Sequence, residues 1–248
     1  MMLLQWIRAD FLKTKGLSLR PAHILVPIGA AGVFTAYFAF APWSAYGKAE
    51  AYYQVLAMAL PVLMGVFCAM LAEQEHRAGA FQSMLMVEKK CVPLLSKLTV
   101  LLLLEAGALV LASLLFYLGF HVLLGNDPVP AGFYGLVPMV LLAGSVVPYS
   151  LHLMLAFQLG GGVSMGLGIV ESLVSALFLT DMGKYAWKFV PAAWPARLAT
   201  GFLAAYTGNE TAAETLHTML PVCAVASLAA VVLLTVCSLR WEGTKNLE

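Results

Sequence analysis

The run LLSKLTVLLLLEAGALVLASLLFYLGF, Leu94 to Phe120, carries only two charges, Lys97 near its start and Glu105 inside it. At ~1.5 Å of rise per residue it outreaches the ~30 Å of hydrocarbon in a bilayer. Backbone amides in lipid must be paired within their own segment, so the run reads as a membrane-crossing α-helix. Five further windows of about 20 apolar residues flank it: Ala22 to Ala41, Tyr53 to Ala72, Leu136 to Leu159, Gly162 to Thr180 and Met219 to Leu239. The sequence thus predicts an all-α polytopic membrane protein with six transmembrane helices, in a single transmembrane domain over residues 1–248.

Composition agrees. Of 248 residues 61% are hydrophobic and 11% charged, and the mean hydropathy is +0.87. A soluble domain carries about 25% charged residues, so a water-soluble reading leaves too little polar surface. The net charge of +1 argues against a nucleic-acid partner, which calls for a strong basic excess. Cys68, Cys91, Cys223 and Cys237 form no C-x-x-C pair and read as small buried hydrophobes. The N-terminal basic stretch followed by Ala39-Phe40-Ala41 imitates a secretory signal, but its apolar run is too long for one.

Six crossings put both termini on one side. Arg8, Lys13, Lys15, Arg20, Arg77, Lys89, Lys90, Lys97, Arg240 and Lys245 fall on that side, against Lys48, Lys184, Lys188 and Arg197 on the other. The positive-inside rule therefore predicts cytoplasmic termini. Residues 1–20 read as an interfacial helix, with Leu3, Leu4, Ile7 and Phe11 on one face and Arg8, Lys13 and Lys15 opposite.

Three segments hold the candidate functional residues. Between the second and third spans, residues 73–91 include Glu73, Gln74, Glu75, Arg77, Gly79 and Phe81 and end in Lys89-Lys90. Acids at the start and bases at the end suit a helix dipole. Phe81, Met84, Leu85 and Glu88 lie three or four apart, so a helix along the membrane surface can dock a partner; a solvated charged loop is the plain alternative. In the fifth span Ser164, Gly168, Glu171 and Ser175 make one small, polar face, which must turn toward protein or water, and Gly162-x-x-x-Gly166 offers close helix approach. Glu171, Glu105 and His152 lie at comparable depth and form a candidate intramembrane polar cluster, either a transport element or hydrogen-bonded groups that hold helices together. In residues 181–217 on the outer side, Trp187, Phe189, Trp194, Lys188 and Arg197 have the character of headgroup-level anchors. Pro191 and Pro195 interrupt any continuous helix there, which predicts a re-entrant or surface-lying hairpin.

Enzymatic chemistry is not signalled. The chain has no P-loop, no strand ahead of Gly160-Gly161-Gly162 to make a dinucleotide site, and no grouping of Ser, His and acid residues. Glu73 and His76 are half of a helical metal pair without the other half, so no metal site is predicted. Asn209-Glu210-Thr211 is an isolated glycosylation sequon.

At Glu73-x-Glu75-x-x-x-Gly79-x-Phe81, in its place between two of six spans, the sequence resembles the permease subunits of type-2 ABC exporters. With Gly161-Gly-Val-Ser-Met-Gly-Leu-Gly-Ile-Val-Glu-Ser-Leu, then Ala186-Trp187 and Pro191-x-x-Trp194-x-x-Arg197, it is similar to lantibiotic-protection (immunity) permeases of the MutG type. The resemblance implies a non-catalytic transport subunit paired with a second, related permease and two copies of an ATP-binding subunit. ATP and Mg would sit on that partner, and this chain would bind no cofactor. It also implies a place in the bacterial cell membrane and expulsion of a lantibiotic peptide from it, with Glu73, Glu75, Arg77, Gly79 and Phe81 in the helix that couples to the ATPase. Lantibiotics are usually cationic, so Asp127, Asp181, Glu210 and Glu214 with Trp187 and Trp194 are candidate outer peptide contacts. An exporter for a bacitracin-like peptide or a lipid keeps the same architecture. An ion-coupled carrier using Glu105 and Glu171 would need no ATPase, and the inverted repeats common in such carriers are not evident.

Overall fold

A computed structural model of the chain describes residues 2–125 and 129–243; Asp127 and Lys245, named above, lie outside the described residues. Nine α-helices and no strand occur among the described residues. They are α1 (Met2–Lys13), α2 (Leu19–Phe40), α3 (Ala45–Arg77), α4 (Gln82–Leu85), α5 (Cys91–Tyr117), α6 (Ala131–Gln158), α7 (Gly161–Leu179), α8 (Trp194–Tyr206) and α9 (Glu210–Arg240). A π-helical turn continues α5 through Leu118–Leu123. Six of these elements are long and apolar enough to cross a membrane: α2, α3, α5 with its π extension, α6, α7 and α9.

The helices outrun the apolar windows because they continue until a cap or a special backbone turn stops them. Ser44 Oγ accepts from the Gly47 amide at the start of α3, and Asn209 Oδ1 accepts from the Ala212 amide at the start of α9. The sequon asparagine is thereby a helix cap, and α9 begins nine residues before its apolar window. At 33 residues α3 is roughly 50 Å long, so its ends stand clear of the hydrocarbon.

Burial sorts the spans into a centre and a rim. The apolar windows of α3 and α6 are 61% and 56% buried, whereas those of α2, α7 and α9 are 22%, 17% and 17% buried. The rim helices point Leu25, Val33, Val225, Leu228 and Leu173 outward, each at least 65% exposed, a surface suited to lipid. Inside, the core is aromatic. Tyr52 stacks on Phe116 at 3.9 Å, Phe116 stacks on Phe120, and the Tyr52 hydroxyl donates to the Ala112 carbonyl at 3.0 Å.

α7 is held to α3 by small residues. A Cβ on Gly65 would lie 2.6 Å from the Ser164 carbonyl oxygen, and one on Gly168 would lie 2.5 Å from that of Pro61. Gly161 sits as closely on Ala69. The Gly162-x-x-x-Gly166 pair expected at this contact instead faces outward with nothing near it. The buried residues of α7 are Ser164, Gly168 and Ser175, the polar face itself, so Ser164 and Gly168 make the contact two residues on from Gly162 and Gly166.

Of the two forms expected for the segment after α7, it takes the re-entrant one and not the surface-lying one. Three short 3-10 turns, at Asp181–Gly183, Trp187–Phe189 and Pro191–Ala193, lead into α8, which packs on α3, α6 and α9. Gly144 of α6 makes room for the Pro195 backbone and Gly132 for the Tyr206 hydroxyl, so α8 runs antiparallel to α6. Arg197 ties the return to the end of α7 by donating to the carbonyls of Phe178 and Thr180.

Candidate functional site

α1, the end of α3 and the start of α5 meet at one end of the bundle, where most of the lysines and arginines lie. α1 turns Asp10 inward, leaving Leu4 and Leu12 more than half exposed on its outer face. Lys97 Nζ lies 2.9 Å from Asp10 Oδ1 and 2.8 Å from Glu75 Oε1. Lys13 Nζ reaches the same Glu75 oxygen at 2.6 Å, and Ser96 Oγ donates to Asp10 Oδ2 at 2.5 Å. Asp10, Glu75 and Lys97 are each at most 3% exposed. Two acids and two bases balance, which is the condition for holding charges out of water. Gln74 donates to the Lys13 carbonyl and fastens α1 to α3 a second time.

This arrangement corrects the expected helix over residues 73–91. Glu73, Gln74, Glu75 and Arg77 are the last turns of α3, where acids oppose the helix dipole, and Glu75 is neutralised inside the chain. Glu73 and Arg77 remain outside, paired to each other at 2.6 Å with side chains 53% and 78% exposed. The chain then reverses through Gly79, Ala80 and Phe81 at φ of 136°, 46° and 65°. Left-handed backbone at a non-glycine residue costs about 1–2 kcal/mol. Burial of the Phe81 ring offsets it: the ring packs on Phe157 at 5.6 Å, on Trp241 at 5.2 Å and on His76 at 5.5 Å. Phe81 and Met84 are therefore used within the chain, and α4 is a single turn. What projects is a compact corner bearing Glu73, Arg77, Gln82, Ser83, Met86 and Glu88. Lys13 of the first helix and Trp241 near the last described residue both touch it, so both ends of the described chain lie here.

Within the spans, two of the three candidate polar residues meet. His152 Nε2 lies 2.9 Å from Glu171 Oε2, and His152 Nδ1 lies 3.0 Å from Ser164 Oγ. Glu105 stands apart from that pair. Its Oε1 is 2.9 Å from Ser145 Oγ, and its Oε2 has no hydrogen-bond partner among the described residues. A cavity of about 40 Å³ adjoins it, lined by Tyr149, Phe67 and His23, whose Nε2 is also unpartnered.

At the opposite end Asp181 is exposed, but Trp187 and Trp194 are not surface anchors. They are 6% and 3% exposed in a second apolar cluster with Leu198, Leu216, Met219 and Cys223. Trp194 Nε1 donates to the Lys188 carbonyl. The aromatics left outside are Tyr185 and Phe189, 80% and 85% exposed.

Asp10 and Lys97 went unnoticed as a site in the sequence. The signal was present: a lysine at the head of a leucine run and an acid on an otherwise basic amphipathic helix each require a partner.

A family model described as ABC-2 family transporter protein matches residues 6–180, which takes in two thirds of α1 and every element from α2 through α7. No curated protein and no solved structure matches the chain. Six apolar spans, a helical corner between the second and third of them, and that match over most of the length lead to one assignment: the chain belongs to the ABC-2 family of transporter proteins, the membrane component of an ABC exporter.

Proposed function

We propose that this permease expels a cationic, amphipathic peptide of the lantibiotic type from the membrane, giving protection to the cell that carries it. The motor is a separate ATP-binding subunit, present in two copies, and the second half of the pathway is a related permease. The basic end faces the cytoplasm, in keeping with nine described lysines and arginines there.

The observation that supports this most is the corner at residues 73–88. Apart from Met86 its large exposed side chains are polar, and Phe81 and Met84 are turned in, so it presents a mostly polar surface to a partner rather than to lipid. It is also rigidly mounted: Glu75 is pinned through Lys97 to α5 and through Lys13 to α1. A push on the corner moves three helices together.

Replacing Glu73 and Arg77 by alanine removes only an exposed pair, worth less than about 1 kcal/mol to stability. The expected outcome is normal membrane insertion and melting temperature, with loss of co-purification of the ATP-binding subunit and loss of peptide resistance. Undiminished resistance in that double variant would overturn the docking assignment. A susceptibility panel across lantibiotics, bacitracin-like peptides and lipid-targeting amphiphiles identifies the cargo class.

A further inference from the structure

We propose that the cleft beside Glu171 binds an ammonium group carried on an apolar chain. This deepens the reading of the cargo as a cationic amphipathic peptide and rests on it.

The cleft lies between α6 and α7 under the last 3-10 turn, has a volume of about 180 Å³, and is walled by Val147, Leu151, Val174 and Pro191 with Glu171 as its acid. That is too small for a drug-sized molecule, and suited to the end of one alkylammonium chain. Its wall residues Val147, Leu151, Val174 and Pro191 are only half-buried, and Val170 and Leu173 beside Glu171 are 54% and 67% exposed, so entry is sideways from the lipid.

His152 Nε2 lies 2.9 Å from Glu171 Oε2, and Ser164 Oγ lies 3.0 Å from His152 Nδ1 and 3.3 Å from the carbonyls of Gly65 and His152. We take the arrangement in which the single hydroxyl hydrogen goes to Nδ1, so that a neutral ring donates from Nε2 to the carboxylate and the pair bears one negative charge. Among the described residues no lysine or arginine pairs with Glu171. A carboxylate in apolar surroundings gains most from a cation, and the apolar wall selects one with a hydrocarbon stem. Two sources share this chemistry: a lysine side chain of the peptide cargo, and the amine of phosphatidylethanolamine.

The test uses the full chain in nanodiscs of phosphatidylcholine and phosphatidylglycerol. Labelled dodecylammonium is titrated by equilibrium dialysis, with dodecanol as the uncharged control. The expected result is one saturable site per chain for the ammonium and unsaturable partition for the alcohol. Glu171→Gln and, with the carboxylate intact, Val174→Phe each weaken the site at least tenfold without lowering the melting temperature. Equal binding by wild type and both variants overturns the proposal, as does saturable binding of dodecanol. Competition by a lysine-bearing amphipathic peptide but not its acetylated form supports the site with peptide as source; competition by added phosphatidylethanolamine supports it with lipid as source. Saturable binding in a chain whose expression together with its ATP-binding subunit leaves peptide sensitivity unchanged supports the cleft and overturns the peptide-cargo reading. Absence of the site with resistance intact overturns the cleft alone.

Discussion

Lys97 sits 1% exposed between two acids, and its removal leaves Lys13, itself partly exposed, as the one cation paired with both among the described residues. Breaking a buried ionic pair on one side costs about 3–5 kcal/mol. Lys97→Met is therefore expected to lower the melting temperature of the detergent-solubilised protein steeply, and Glu75→Ala likewise, whereas Glu73→Ala leaves it unchanged. Glu75 and Glu73, two residues apart on α3, thus have two different uses, one holding the helices together inside and the other exposed on the corner. Glu105 is the opposite case: one of its buried oxygens has no protein partner, and an unpaired buried polar group is a net cost of about 1–3 kcal/mol. Glu105→Met, similar in length and apolar, is expected to leave the melting temperature equal or higher, read by the same thermal unfolding. A drop of several degrees would show that the carboxyl holds the packing together.

At the scale of helices, the α3–α7 contact governs where Glu171 points. Gly168→Val puts side-chain atoms where the Pro61 carbonyl lies 2.5 Å from a Cβ position, so the helices must part and the Ser164–Gly65 and Ser172–Met58 bonds lengthen. The expected outcome is loss of several degrees of thermal stability, while Gly162→Ala and Gly166→Ala, with open space around both, are tolerated. The small-xxx-small pattern was legible in the sequence, but its phase was not. Glycines recur on both sides of the true contact, and only the partner helix distinguishes them. The corner after α3 was similarly half legible: its place between two spans followed from hydropathy, yet the acids suggested a helix start. In the fold they end a helix, because α3 keeps going until Gly79, Ala80 and Phe81 reverse it.

For the whole molecule, sidedness is the property from which transport direction follows. Single cysteines at Ser83 and Tyr185, both exposed and at opposite ends, in a background lacking Cys68, Cys91, Cys223 and Cys237, are expected to react with a membrane-impermeant thiol reagent differently. In intact cells Tyr185→Cys is labelled and Ser83→Cys only after lysis. The reverse pattern would place the corner outside and separate it from any cytoplasmic ATPase. The N-terminal helix, the corner and Trp241 form one body at the basic end, so displacement of the corner is transmitted to α1, α3 and α5 rather than absorbed in a loop.

Length and hydropathy alone were enough to establish six apolar helices, their order and the shared side of the termini, because the cost of an unpaired amide or a charge in hydrocarbon is local and each window answers for itself. The polar face of α7 was equally plain, since helical periodicity lists its members. Pairing was not: which acid is neutralised inside and which stays outside, whether His152 meets Glu171 or Glu105, and that Trp187 and Trp194 are core rather than surface all depend on what the neighbouring helix presents. Such contacts join residues tens of positions apart, 87 for Asp10 and Lys97, and arise from packing between helices, which no single stretch of the chain encodes.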